Sequence, residues 1–167
     1  MRTLQQMRNR VQHPQMQIEL QFAEDLEDID LSETPFIELC RALGEQLSAA
    51  ASGMICVRVC GAEESRLLNA TYRQNDKPTN VLSFPADVDL DEVQVIGDIA
   101  LCWPVIVAEA NEQNKPLEHH LKHLFVHGVL HLLGYDHQSD EEAHAMERLE
   151  TGILAQFGVP DPYELRS

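Results

Sequence analysis

The segment HGVLHLLGYDH limits the folding of this chain more tightly than any other. His127 and His131 are four residues apart, so at 3.6 residues per turn they lie only about 40° apart around an α-helix. Gly134 follows three residues later, where a helix C-terminus favours a residue that can take positive φ. The chain then reverses and carries His137 back toward the first two imidazoles. Seven of the eight histidines fall between residues 119 and 144, so the cluster is a feature of the sequence and not a scatter.

An isolated pair of histidines at this spacing is usually just two helix residues. Three histidines and a turn glycine in one register point to a metal. Neutral imidazoles at about 2.0–2.1 Å fill three corners of a tetrahedron and leave the fourth for water, the layout of a catalytic zinc site. Zinc can bring the pKa of bound water down to about 7. The predicted cofactor is one zinc ion per chain on His127, His131 and His137. The same spacing occurs in metzincin peptidases, which carry a Glu general base directly after the first His. Here that position is Gly128, so a zincin-type peptidase is the alternative and not the leading reading.

The rest of the chain alternates between periods. Met16, Ile18, Leu20 and Phe22 recur at period two and predict a strand; Ile55, Val57 and Val59 predict a second. VLSFP and VIGDIALCW supply two more, Gly97 marking a bulge or close backbone approach. Helical spacing of Phe36, Leu39, Cys40, Leu43 and Leu47 follows a Thr-Pro start. Further helices are predicted over 62–72, 105–114, 117–133 and 141–157, the last opened by a Ser139 capping box with Glu142. The expected fold is α+β: a small mixed four-stranded sheet with about five helices and a zincin-like His-x-x-x-His helix at the metal. Residues 1–15 are predicted to be a flexible basic tail, 16–167 a single domain, and 86–94 an acidic hairpin-like connection.

Composition excludes some functions. With 28 acidic and 12 basic side chains the net charge is −16, which rules out a protein that coats nucleic acid through a basic surface. Outside the tail only residues 53–82 are positive, at +1. Four scattered cysteines without a C-x-x-C pair suit a reducing compartment, and no apolar run reaches the length of a membrane span.

HGVLHLLGYDH, NATYRQNDKPTNVLSFP and IGDIALC together closely resemble the bacterial YbeY family of metal-dependent, single-strand-specific endoribonucleases, over about residues 54–163. The resemblance implies zinc on the three histidines, maturation of the 3′ end of 16S rRNA, late-stage ribosome quality control and a cytoplasmic location. It implies single-stranded RNA, chiefly small-subunit rRNA, as substrate. The partners it implies are the ribosome or small-subunit assembly proteins such as an Era-type GTPase, with no DNA and no membrane. It also places a required arginine at Arg73. A guanidinium offers a planar fork of donors matched to phosphate oxygens, so Arg73 and the metal ligand His127 are the expected catalytic pair. Arg58, Arg66 and Lys77 are candidates to extend a phosphate-binding strip beside Arg73. His123, one turn before His127, and Asp98 in the last strand are candidate cleft residues. Met146 is expected to pack in the core. No general base is evident, which leaves water and the RNA 2′-OH as alternative nucleophiles. A non-catalytic assembly factor with structural zinc is a third reading.

Overall fold

The computed structural model describes residues 16–47, 53–86 and 95–164. The predicted tail and residues 87–94 of the acidic connection lie outside them. Period-two segments become four strands: β1 (Met16–Phe22), β2 (Gly53–Cys60), β3 (Val81–Pro85) and β4 (Val95–Cys102). Among the described residues five α-helices accompany them: α1 (Thr34–Leu47), α2 (Ala62–Arg73), α3 (Trp103–Glu112), α4 (Leu117–Leu132) and α5 (Asp140–Gln156). The α+β fold expected from the sequence is the fold observed. The helix expected over 105–114 shifts most: Trp103, expected to end β4, opens α3, because Pro104 fits the first helical turn, where no N–H is needed, and the other helix ends differ from expectation by at most one residue.

The sheet order is β1-β2-β4-β3, parallel except for the antiparallel β3–β4 pair. Gly97 proves to be both bulge and close approach. The register slips from Met54 opposite Val95 to Ile55 opposite Gly97, so Ile96 is the extra residue. At φ 156° a Cβ on Gly97 would stand 2.5 Å from the Phe84 carbonyl oxygen, which only a hydrogen can occupy.

One face of the sheet carries the main core. Ile55 and Val57 of β2 and Ile99 and Leu101 of β4 pack with Phe36, Leu39 and Leu43 of α1 and with Met146, Ile153 and Leu154 of α5. Met146 is a core residue, 2% exposed. Helix α4 runs through the middle, touching β3, β4, α1, α3 and α5. It is buried at Leu121, Leu124, Phe125, Val126, Val129 and Leu130, so hardly any of its circumference is free. Phe125 meets Phe36 edge-on at 4.7 Å, a contact worth about 0.5–1.5 kcal/mol beyond the area it buries. His123, His127 and His131 form the half-exposed stripe left on the helix, at spacing four. No helix among the described residues is long and apolar enough to cross a membrane.

Candidate active site

Helix α4 stops where the third histidine requires it to. Gly134 has φ 98°; its N–H donates to the His131 carbonyl at 3.1 Å and the Tyr135 N–H to the Leu130 carbonyl at 3.0 Å. These two bonds make a Schellman motif, which satisfies the last carbonyls and turns the chain sharply. His137 therefore returns over the end of α4, its own N–H donating to Asp136 Oδ1 at 2.8 Å. The Ser139 hydroxyl then caps α5 by accepting from the Glu142 N–H at 3.2 Å.

The ligand atoms of His127, His131 and His137 lie within 4.8 Å of one another, and the Nε2 atoms of His127 and His131 are 3.1 Å apart. Two ligands on a tetrahedral zinc are separated by about 3.3 Å, given bonds of about 2.0–2.1 Å. The His127–His131 pair thus has the spacing the ion needs, and His137 lies within reach of both. The protonation pattern also suits it. His127 Nδ1 sits 2.6 Å from Glu150 Oε1 and donates to it, which leaves the Nε2 lone pair directed at the other two imidazoles. Burial, then the neighbouring His127 and His137, hold His131 below the usual imidazole range, in the neutral form a metal requires.

Glu150 was not anticipated from the sequence. It is fully buried, yet three groups surround its carboxylate: His127 on Oε1, and His123 at 3.0 Å and the Tyr163 hydroxyl on Oε2. Burial alone would raise the carboxyl pKa, but the bonds from His123, His127 and Tyr163 outweigh it and bring the pKa to about 2. The available signal was a carboxylate on the apolar stripe of α5, four residues after Met146 and three before Ile153. Tyr163 gives no comparable signal, because it reaches the site only through the turn after α5.

An open cavity of about 830 Å³ lies over the trio, lined by Arg73, Ser83, His123, His127, His131, His137 and Tyr163 among others. Arg73 leaves the end of α2 and donates from Nη2 to the Ser83 carbonyl at 2.8 Å, with its guanidinium 5.5 Å from the Phe84 ring centre. The tertiary structure therefore places Arg73, His123 and the three ligand histidines around one space.

The other candidates are placed elsewhere. Arg66 donates to Glu63 at 2.5 and 3.0 Å and to Asp76, and Arg58 donates to Glu64 at 2.5 and 2.9 Å. Neither they nor Lys77 line the cavity beside Arg73. Asp98 also lies outside the cavity lining. Ile99 and Leu101 face the main core, so strand alternation sends Asp98 to the opposite face, beside Cys56 and Phe84 in register. Burial and then Glu19 raise its carboxyl pKa, without bringing it near the histidines.

Gly128 explains the missing peptidase base in physical terms. A Cβ there would lie 3.2–3.3 Å from Ser83 Oγ, Ile99 Cδ1 and Val81 Cγ2, so the position faces the sheet and not the cavity. A glutamate has no room at this position.

Comparison with known proteins agrees with this geometry. A family profile described as Endoribonuclease YbeY matches residues 18–158. The chain belongs to the YbeY endoribonuclease family. Among its YbeY relatives, Endoribonuclease YbeY of Pseudomonas entomophila is 46% identical over 150 residues, 89% of this chain and 93% of that protein. The Burkholderia lata protein of the same name is 45% identical over 157 residues, 92% and 89% of the two chains. The solution structure of TM1509 from Thermotoga maritima is similar at 26% identity and a TM-score of 0.53, covering 89% of this chain and 99% of that one. The YbeY profile spans every residue of the histidine trio, Arg73 and Glu150, and stops short of Tyr163.

Proposed function

We propose that this protein is a zinc-dependent endoribonuclease that cuts single-stranded RNA, maturing the 3′ end of small-subunit rRNA and acting in late ribosome quality control in the cytoplasm. The observation that carries this reading is the shared cavity: three convergent imidazoles on one wall and an arginine on another, in a chain of the YbeY family. His127, His131 and His137 would hold one zinc ion per chain. When bound, zinc supplies Lewis acidity toward a phosphoryl oxygen and lowers the pKa of water.

The protein's own side chains then have separate tasks. Glu150 keeps the His127 ring in one tautomer and one orientation. Arg73 is braced by the Ser83 carbonyl and keeps further N–H donors for the phosphodiester, whose charge grows in the transition state. No side chain at the cavity is assigned as general base, so water and the RNA 2′-OH both remain as nucleophiles. The second route leaves a 2′,3′-cyclic phosphate.

The net charge of −16 bears on the partner. A global negative field with one arginine in the cleft binds naked RNA weakly. The substrate is therefore presented by the ribosome or by a small-subunit assembly protein such as an Era-type GTPase.

The test is incubation of purified protein with defined single- and double-stranded RNA, with and without chelator, followed by end-group analysis. Chelator-sensitive cleavage of the single strand alone supports the reading. Cleavage indifferent to chelator removes the metal from it, and no cleavage of any RNA, in the presence or absence of ribosomes, overturns it.

A further inference from the structure

The turn after α5 brings a residue from near the end of the chain into the metal site. Asp161 Oδ1 accepts from the Tyr163 N–H at 2.8 Å and from the Thr151 hydroxyl at 3.3 Å, so the turn is tied to α5 one residue beyond Glu150. This carries the Tyr163 ring across to α4, where it meets His123 edge-to-face at 5.4 Å with planes at 87°. Its hydroxyl donates to Glu150 Oε2, and its oxygen lies 3.2 Å from His123 Nε2. The His123 N–H is thereby shared between Glu150 and Tyr163. His123 Nδ1, buried and without a hydrogen-bond partner among the described residues, is then the unprotonated nitrogen.

These contacts make a closed ring of Tyr163, Glu150 and His123 on one carboxylate oxygen, while the other oxygen holds His127. Removing the hydroxyl would leave Oε2 with the His123 N–H in place of two donors. A buried carboxylate that has lost a donor is held less firmly, and so is the His127 ring that its other oxygen orients. We propose that Tyr163 is a positioning residue of the metal centre: acting through Glu150, it locks the His127 imidazole for zinc. The turn after α5 is thus part of the site and not a terminal ornament. This inference rests on the reading of the histidine trio as a zinc site.

The experiment measures zinc affinity by competition with a chromophoric chelator for wild type, Tyr163→Phe, Glu150→Gln and the double variant. Tyr163→Phe retains the ring and its contact with His123 and removes only the hydroxyl. Its zinc affinity should fall on the order of 10-fold, the low end for a group that supports a metal ligand from behind. The metal-free variant should stay folded, with a melting temperature lowered less than that of Glu150→Gln, because Glu150 keeps two of its three donors. In the double variant the loss should equal that of Glu150→Gln alone, because Tyr163 acts only through Glu150. Wild-type affinity in Tyr163→Phe overturns the proposal while the zinc site stands, as do additive losses in the double variant. A wild-type protein that binds no zinc overturns the underlying reading instead.

Discussion

Glu150 and the pair Glu63 and Asp76 are all carboxylates held by nitrogen donors, but in opposite surroundings. Glu150 is 0% exposed and is met by two imidazoles and a phenol. Glu63 and Asp76, about 70% exposed, flank Arg66 on the outside of α2. By bond lengths alone the two clusters look alike. Solvent separates them: water and salt screen the outer pairs and compete for every donor, whereas a buried carboxylate has no substitute for a lost partner. The site is therefore built on the one carboxylate that water cannot reach.

The largest effects test what that buried network serves. His131→Ala should reduce zinc from one ion per chain to none and abolish cleavage; elemental analysis showing full occupancy in the variant would remove the imidazole trio as the zinc site. Glu150→Ala should cost about 1–3 kcal/mol in urea denaturation of the metal-free protein, the range for leaving buried donors without their acceptor. That cost depends on pH in a defined direction. The Glu150 carboxyl titrates near 2 in the folded protein and near 4.3 in an unfolded chain. Its contribution is complete above the higher value and disappears as pH falls through the lower. The stability gap between wild type and variant should therefore narrow on acidification from about pH 6 to about pH 3; a gap that widens would mean that the carboxyl is not ionised in the fold.

Arg73→Glu comes next. Zinc content should be retained and RNA cleavage should fall by about 10²–10³-fold, as for loss of a transition-state donor; normal cleavage would leave the phosphate without its proposed partner. The smallest effect belongs to the surface cluster. Arg66→Ala should leave both the denaturation midpoint and the cleavage rate at wild-type values. A clear loss of cleavage would show that RNA extends over α2 and would restore the wider cationic strip expected from the sequence.

What could be read from the sequence is what local geometry controls. The 40° offset of His127 and His131 follows from helix pitch, the stop at Gly134 from its positive φ, the strands from alternation of Ile55, Val57 and Val59, and the cap from Ser139. Each depends on residues within one or two turns of each other, so a linear pattern contains it. Asp98 shows the limit. Its place in a strand was legible, but which face it takes depends on where Ile99 and Leu101 find α4.

Three facts belong to the tertiary structure alone. Arg73 acquires its role by reaching Ser83, ten residues along the chain; Glu150 reaches His127 across 23 residues and Tyr163 reaches His123 across 40. No periodicity spans such gaps, because they are closed by core packing that brings α4, α5 and the following turn together. The sequence determined that three histidines able to hold a metal ion meet at the end of a helix. Packing decided which carboxylate stands behind it, which arginine faces it, and which charges stay in water.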